Sequence, residues 1–251
     1  MKKKRLLLLL LVVLVAFSFV GCKTKYTPDP AVEQYLNTGL TAEQAYESIS
    51  SVSYVEKRTN EDKQGKVKGT LVSRVEMDKS DSDNLTLTIN QKFEGEYVEN
   101  NVVELTSTLR KVDGKYVYSV TTSYSNVASP AKADKEMSDE DAEALVKGVV
   151  YTNNDAYDLG LYYGDLFMLN IYQYPADFFY VDTEENLCVF DGKIYVKNDN
   201  TGDMKLFQTT KINELGLLVY SFERYESVPN DNVMTCEITP IYQYVTTAQQ
   251  P

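Results

Sequence analysis

Apolar and polar side chains alternate along residues 54–124, and this period of two is the feature that most limits what the chain can fold into. Leu71 and Val75 fall on one side of an extended segment, and Arg74 falls on the other. Successive side chains of a β-strand point to opposite faces, and antiparallel strands commonly bury one face and solvate the other. The pattern therefore predicts half-buried antiparallel strands.

The dipeptide Asp113-Gly114 lies between two of these segments, Val102–Val112 and Lys115–Tyr124. Both turn residues tolerate the positive φ angles of a type I′ turn, so the two segments should form a β-hairpin. Further segments in the second half of the chain alternate in the same way and are predicted to be strands. They cover 178–181, 187–190, 193–198, 204–210, 215–224 and 233–244, with turns at Asp191-Gly192 and at 200–203.

Helix signals occur in three other stretches. Thr41 and Gln44 form a capping box before a helix expected at 42–50, and Ser138 caps a second helix that should end near Gly148. Apolar and aromatic residues recur at helical spacing over 158–174, which predicts a third helix. The expected fold class is α+β, a curved, half-barrel-like antiparallel β-sheet packed on two or three helices, because each strand has one apolar face to cover.

The first 22 residues differ in character from the rest of the chain. Four basic residues at 2–5 precede an apolar run over 6–20, and Gly21 and Cys22 close it. A basic head, a short apolar run and a small residue at its end are typical of a signal peptide. The alternative is a membrane-spanning helix, which needs about 20 apolar residues, more than the run provides.

The pair Gly21-Cys22 resembles the lipobox of bacterial lipoproteins. This resemblance implies that the Cys22 thiol is diacylated and that the bond before it is then cut. Residues 1–21 would be the signal peptide, 22–30 the acylated cysteine and a tether, and 31–251 a single domain. Two acyl chains hold a protein stably at a membrane. The expected location is therefore the extracytoplasmic face of the cell membrane, with the diacylglyceryl anchor as the membrane contact.

Charge and composition exclude several classes of function. Removal of residues 1–21 changes the net charge from −12 to −16, so the remaining chain should be repelled by nucleic acid and anionic lipid surfaces. The chain has no His, which removes the commonest general base and metal ligand and excludes a Ser-His-Asp or Cys-His triad. We therefore expect a non-enzymatic protein with no metal and no cofactor.

Acidic loops do not change that expectation. Asp78, Asp81 and Asp83 lie close together, but an EF-hand counted from Asp78 would need Gly where Asp83 stands and Glu where Ile89 stands. The segment is better explained as a polar hairpin loop, since Asp, Ser and Asn favour turns.

Two cysteines remain once Cys22 is assigned to the anchor. Cys188 and Cys236 both lie in strand-like segments of a chain expected in an extracytoplasmic compartment, where disulfides persist. Either they form a disulfide or they are two separately buried thiols, and the sequence leaves both alternatives open.

The order of elements in 41–244 is similar to that of outer-membrane-lipoprotein carriers and their acyl-binding relatives among surface lipoproteins. In that family a helix precedes a strongly curved antiparallel sheet, and helices inserted midway plug its concave side above an apolar cavity. The resemblance implies a cavity between the sheet and the 158–174 segment. Aromatic and aliphatic residues there and on facing strands are the expected lining: Tyr162, Tyr163, Leu166, Phe167, Tyr220 and Tyr242.

The leading hypothesis is a membrane-anchored, non-enzymatic lipoprotein whose half-barrel binds an apolar or amphiphilic ligand such as a lipid. The alternative is a structural or interaction lipoprotein with a filled core and a protein or glycan partner. A hydrolase that uses paired carboxylates comes third. A continuous cavity favours the first, a packed interior with an exposed aromatic patch the second, and convergent carboxylates in a cleft the third.

Overall fold

The computed structural model describes residues 29–36, 39–99, 101–151, 166–167, 178–196, 204–227 and 232–245. These residues form one antiparallel sheet of eleven strands. The strands are β1 (Ile49–Asp62), β2 (Val67–Asp78), β3 (Thr86–Gly95), β4 (Val102–Val112), β5 (Lys115–Tyr124), β6 (Ala131–Met137), β7 (Phe179–Asp182), β8 (Leu187–Val196), β9 (Met204–Ile212), β10 (Leu218–Ser227) and β11 (Asn232–Tyr244).

Two meanders make up the sheet. Strands β1 to β6 follow one another in space, as do β7 to β11, and the long pairing of β1 with β11 joins the two halves. Within the described residues β6 and β7 remain at the two edges, so the sheet is not closed into a barrel. The prediction of an extensive antiparallel sheet is confirmed.

Three α-helices are described: α1 (Pro30–Leu36), α2 (Ala42–Ser48) and α3 (Asp139–Val150). The capping box predicted for α2 is present, since the Thr41 side chain accepts from the backbone of Gln44 while the Gln44 side chain accepts from the Thr41 backbone. Ser138 caps α3 by accepting from the Asp141 backbone N–H. Helix α2 ends sooner than expected because the chain enters β1 at Ile49, a β-branched residue that favours strands.

The main hydrophobic core lies on the side of the sheet that α2 and α3 cover, which we call the inner face. Val52, Leu87 and Leu109 project from the strands into this core and meet Leu145 of α3, and all four are at most 1% exposed. A smaller core forms where α1 packs on β7 to β9, around Val32, Phe179, Cys188, Phe190 and Ile212. The helices thus cover only part of a wide sheet.

A charged cluster joins α2 to α3. Lys147 Nζ lies 2.8 Å from a Glu43 carboxylate oxygen and 3.0 Å from Glu143. The Tyr151 hydroxyl donates to the same Glu43 side chain. The hydrogen bond from Lys147, followed by that from Tyr151, holds the pKa of Glu43 below its usual value. The cluster ties the two helices together at their exposed ends.

The hairpin around Asp113-Gly114 is confirmed, with φ angles of 50° and 81° that suit a type I′ turn. The turn predicted at Asp191-Gly192 is wrong, because β8 runs unbroken through both residues and pairs with β9. Gly192 has a packing role instead. A Cβ there would lie 2.9 Å from the Phe190 ring and 3.2 Å from the Phe178 ring, so these rings would have to shift to admit it.

The helix predicted over 158–174 is not observed at the two of its residues that the structure describes. Phe167 forms an antiparallel bridge with Leu217, and the Leu218 N–H donates to the Leu166 carbonyl oxygen at 2.8 Å. These residues are extended because they pair with the chain that leads into β10. The remainder of the predicted segment, including Tyr162 and Tyr163, lies outside the described residues.

Candidate functional site

One row of directly paired residues crosses eight neighbouring strands on the inner face. The register of β9, β10, β11 and β1 to β5 fixes its order. We call it the central row, and it consists of Gln208, Glu223, Cys236, Arg58, Leu71, Phe93, Val103 and Tyr124. It lies on the inner face because Arg58 is an even number of residues from Val52 on the same strand.

The central row changes character between β1 and β2. Its first four side chains are polar or hold a thiol, and its last four are apolar or aromatic. Each half spans three strand spacings, or about 14 Å. Leu71, Phe93 and Val103 are only half-buried, and Tyr124 is 45% exposed. The apolar half is therefore accessible, unlike the part of the inner face beneath α2 and α3.

Arg58 and Glu56 form an ion pair in the polar half. The Arg58 Nε and Nη2 atoms both lie 2.5 Å from Oε1 of Glu56. The Arg58 side chain is 47% exposed, while that of Glu56 is 14% exposed. The Glu56 carboxylate is thus neutralised by a cation that itself still reaches solvent.

Cys236 is held beside this ion pair as a thiol. Its Sγ donates to Glu56 Oε1 at 3.4 Å. Burial, followed by the negative charge of Glu56, raises the pKa of Cys236 to about 12. Because the thiolate is the nucleophilic form, Cys236 is poorly suited to covalent chemistry at neutral pH.

Glu223 has a different set of partners. Its carboxylate accepts from the Gln208 amide Nε2 at 3.0 Å and from the Tyr225 hydroxyl at 2.6 Å. Among the described residues it forms no ion pair with a cation. Glu223 is consequently a half-buried carboxylate whose charge is held by neutral donors.

Gln208 is only 5% exposed, and its two ends are not equally satisfied. Nε2 donates to Glu223 and also to Thr210 Oγ1 at 3.0 Å, and Thr210 in turn lies 3.2 Å from Ser221. The amide oxygen of Gln208 is buried without a hydrogen-bond partner. Buried polar atoms are usually paired, so an isolated acceptor calls for an explanation.

The cysteines are two separate thiols, so the disulfide considered for Cys188 and Cys236 is not formed. Cys188 lies on β8 and Cys236 on β11, with β9 and β10 between them. Three strand spacings amount to about 14 Å, whereas a disulfide needs Cα atoms within about 7 Å.

The residues predicted to line a pocket do not converge on one site. Leu166 is fully buried and Phe167 is 6% exposed, and both belong to the main core. Tyr242 packs against that core and donates its hydroxyl to the Leu218 carbonyl oxygen at 2.6 Å. Tyr220 lies on the opposite, outer face, where its hydroxyl is 3.5 Å from Glu237. Tyr162 and Tyr163 lie outside the described residues.

Metal sites and membrane-spanning helices are two further possibilities for the described residues. In those residues no three His, Cys, Asp or Glu side chains gather closely enough to hold a metal ion. None of their helices combines the length and hydropathy needed to cross a membrane.

Comparisons with known proteins add no family. No protein-family model matches the chain, and no curated protein matches it. Among solved structures, one match is the crystal structure of a β-barrel-like protein of the domain of unknown function DUF1849 from Brucella abortus. The two chains are 11% identical, with a TM-score of 0.25, and the match covers 79% of this chain and 99% of the other.

Proposed function

We propose that this protein is a membrane-anchored, non-enzymatic lipoprotein that binds an amphiphilic ligand on the inner face of its sheet. The ligand tail would lie along the apolar half of the central row, and its headgroup would lie over the polar half. The change from polar to apolar between β1 and β2, on side chains that remain partly accessible, is the observation that carries this proposal.

Ligand sites of this kind are mostly apolar, with a few placed polar groups that fix orientation. The central row supplies both parts on directly paired residues of neighbouring strands. Leu71, Phe93 and Val103 each remain half-buried in the free protein. Covering their exposed apolar surface with a ligand tail would therefore lower the free energy. Arg58 and Glu223 offer charges of opposite sign at known distances along the same row.

Anchoring through Cys22 is part of the proposal. Helix α1 begins at Pro30, eight residues after Cys22. A fully extended segment of that length spans at most about 28 Å. Diacylation would therefore keep the sheet close to the membrane surface that supplies an amphiphile.

Mutation of the proposed anchor tests this part. The Cys22→Ala variant should leave the membrane fraction or remain unprocessed, and it should take up no radiolabelled acyl chain. Normal acyl labelling of that variant would refute the assignment of Cys22.

Ligand binding is tested on the chain from Lys23 onward, which keeps every described element because α1 begins at Pro30. This protein should be purified from its own host and examined by native mass spectrometry and lipid extraction. We expect an amphiphile at close to one-to-one stoichiometry. A compact protein that carries no amphiphile and takes up none when it is added would contradict the proposal.

A second candidate is an interaction module with a filled interior. It draws support from Leu166, Phe167 and Tyr242, which pack into the core where a pocket had been predicted. An interaction module of this kind would co-purify with a protein or glycan partner from the host envelope and would take up no lipid. The same purification from the host therefore distinguishes the two candidates.

A further inference from the structure

We infer that the polar half of the central row selects a zwitterionic headgroup, with a primary ammonium at Glu223 and Gln208 and an anionic group at Arg58. The inference rests on the proposed function, because it assigns the headgroup of the same amphiphile. The ligand class is a phospholipid-like amphiphile with an aminoalkyl phosphate headgroup.

The distribution of charge supports an ammonium group at Glu223. Glu56 has its cation in Arg58, whereas the partners of Glu223 are the neutral amide of Gln208 and the hydroxyl of Tyr225. Partly buried charges gain from pairing with an opposite charge, and no cation among the described residues forms an ion pair with Glu223. A cationic ligand group would complete this pairing.

The amide oxygen of Gln208 provides an independent argument. Its Nε2 is already committed to Glu223 and Thr210, so the buried Oε1 can be satisfied only by a donor that comes from elsewhere. A primary ammonium carries three N–H donors, enough for a carboxylate and an amide oxygen together. A quaternary ammonium has the positive charge but no N–H donor. The phosphodiester group of a lipid is negative and has no donor.

The position of Arg58 in the row places the anionic group. Both hydrogen bonds to Glu56 use Nε and Nη2, and nearly half of the Arg58 side chain faces solvent. The remaining N–H groups of a guanidinium suit phosphate oxygens, which it binds with planar geometry. The order along the sheet is then carboxylate, guanidinium and apolar surface, and an aminoalkyl phosphate with an acyl tail has the matching order of ammonium, phosphate and chain.

The distance between the ends supports a headgroup of this length. Glu223 and Leu71 are three strand spacings apart, about 14 Å between Cα atoms, with Cys236 and Arg58 between them. A simple alkylammonium would place its apolar chain across the Arg58–Glu56 ion pair. A headgroup with a second charge fills that interval with complementary groups.

The test compares three phospholipids with identical dihexanoyl tails, below their micelle concentrations, on the full chain held in amphipol. Their headgroups are phosphoethanolamine, phosphocholine and phosphoglycerol, and calorimetric titration gives each Kd. We expect phosphoethanolamine lipid to bind about 10-fold or more tightly than the other two, the usual effect of a hydrogen bond to a charged group. This comparison needs no substitution and so cannot fail through misfolding.

Two isosteric variants locate the effect. Glu223→Gln should abolish the preference for phosphoethanolamine while leaving the phosphoglycerol lipid bound as before. Glu226→Gln is the matched control, because Glu226 lies on the same strand, on the outer face, in an ion pair with Arg224 at 3.1 Å. It should keep the full preference.

The outcomes separate the headgroup inference from the proposed function. Equal affinity for all three lipids, or a preference that survives Glu223→Gln, overturns the inference and leaves amphiphile binding standing. If no lipid binds, the proposed function fails and the inference fails with it. If free phosphoethanolamine binds as tightly as its lipid, the headgroup chemistry is upheld and the role of the apolar half is overturned.

Discussion

Phe93 provides a quantitative test of the apolar half of the central row. Its side chain is half-buried on the inner face, between Leu71 of β2 and Val103 of β4. Covering a whole Phe side chain is worth about 1.5–3 kcal/mol, so a ligand tail that covers only the part still exposed would gain at most about 1 kcal/mol. Phe93→Ala should therefore weaken the binding of a dihexanoyl phospholipid by up to about 5-fold.

The control for this change is Phe222→Ala. Phe222 is also half-buried, but it lies on the outer face of β10, opposite Glu237 and Thr209. The two substitutions remove the same atoms from similar environments, so their effects on the free energy of unfolding should be comparable. Calorimetric titration of both variants measures the difference in Kd. Equal weakening by Phe93→Ala and Phe222→Ala, or none by either, would refute binding along the central row.

Three further predictions concern stability and thiol chemistry. Tyr116→Phe should lower the free energy of unfolding by about 1–3 kcal/mol in urea titrations, because the buried Leu85 N–H loses the Tyr116 hydroxyl that accepts from it at 2.9 Å. The control is Tyr118→Phe, on the same face of β5. An equal loss of stability in the control would contradict this explanation. Glu43→Gln should cost less than ~1 kcal/mol at neutral pH, since the side chain is 49% exposed. The pKa of Glu43 is lowered in the folded state by Lys147 and then Tyr151, so this difference should be complete above the usual carboxyl pKa and disappear as pH falls through the lowered value. A urea midpoint difference that stays constant across that acidic range would contradict the ion-pair explanation. Cys188 and Cys236 should both be alkylated in denaturant without a reductant, and Cys188 should react slowly in the native protein because burial raises its pKa to about 11; mass spectrometry that finds the two linked would contradict the separate-thiol arrangement.

Local signals in the sequence predicted the parts of the fold whose causes are local. The capping box at Thr41, the cap at Ser138 and the turn at Asp113-Gly114 each depend on residues within a few positions of one another. The alternation through β2 also placed Val75 and Met77 on the buried face correctly. Such features require no knowledge of which strands are neighbours.

Features that depend on distant partners were missed. β6 was not among the predicted strands because 125–135 has no apolar alternation, yet it forms an exposed edge strand paired with β5 on one side. Gly192 was interpreted as part of a turn because nothing local shows the Phe178 and Phe190 rings that crowd the position of a Cβ. Phe167 fitted a helical period, but its bridge to Leu217 is a contact across 50 residues.

The central row was not predicted from the sequence, for the same reason. Its members come from eight strands, and only the register brings Arg58 next to Cys236 and Glu223. A weak signal was present, because Ser221, Glu223 and Tyr225 put polar groups at alternate positions of β10, and Gln208 and Thr210 do so on the neighbouring β9. The sequence alone gave no means of deciding which face of β10 they occupy.

Pro240 helps to explain how β11 passes from the central row to the main core while it remains part of the sheet. Proline removes a backbone donor and is rarely tolerated in a central strand. The pairing of β10 with β11 begins at Ile238, so Pro240 faces β1 through Tyr54 while the side toward β10 is already unpaired. Beyond that point Tyr242 closes the core against Leu218. The pairing of β10 with β11 therefore ends where the main core begins and remains intact across Cys236 and Glu223. It keeps these two members of the polar half in register.

The polar half is difficult to explain as a device for stability alone. Gln208, Thr210 and Ser221 are each at most 6% exposed, on the face that also carries the main hydrophobic core. Buried polar groups contribute little net stability and cost free energy whenever one atom is left unpaired, as Gln208 Oε1 is. Apolar side chains of similar size would serve the fold at least as well. A network kept under these conditions, three to four strand spacings from the accessible Leu71, supports the proposed recognition of a ligand with a polar head and an apolar tail.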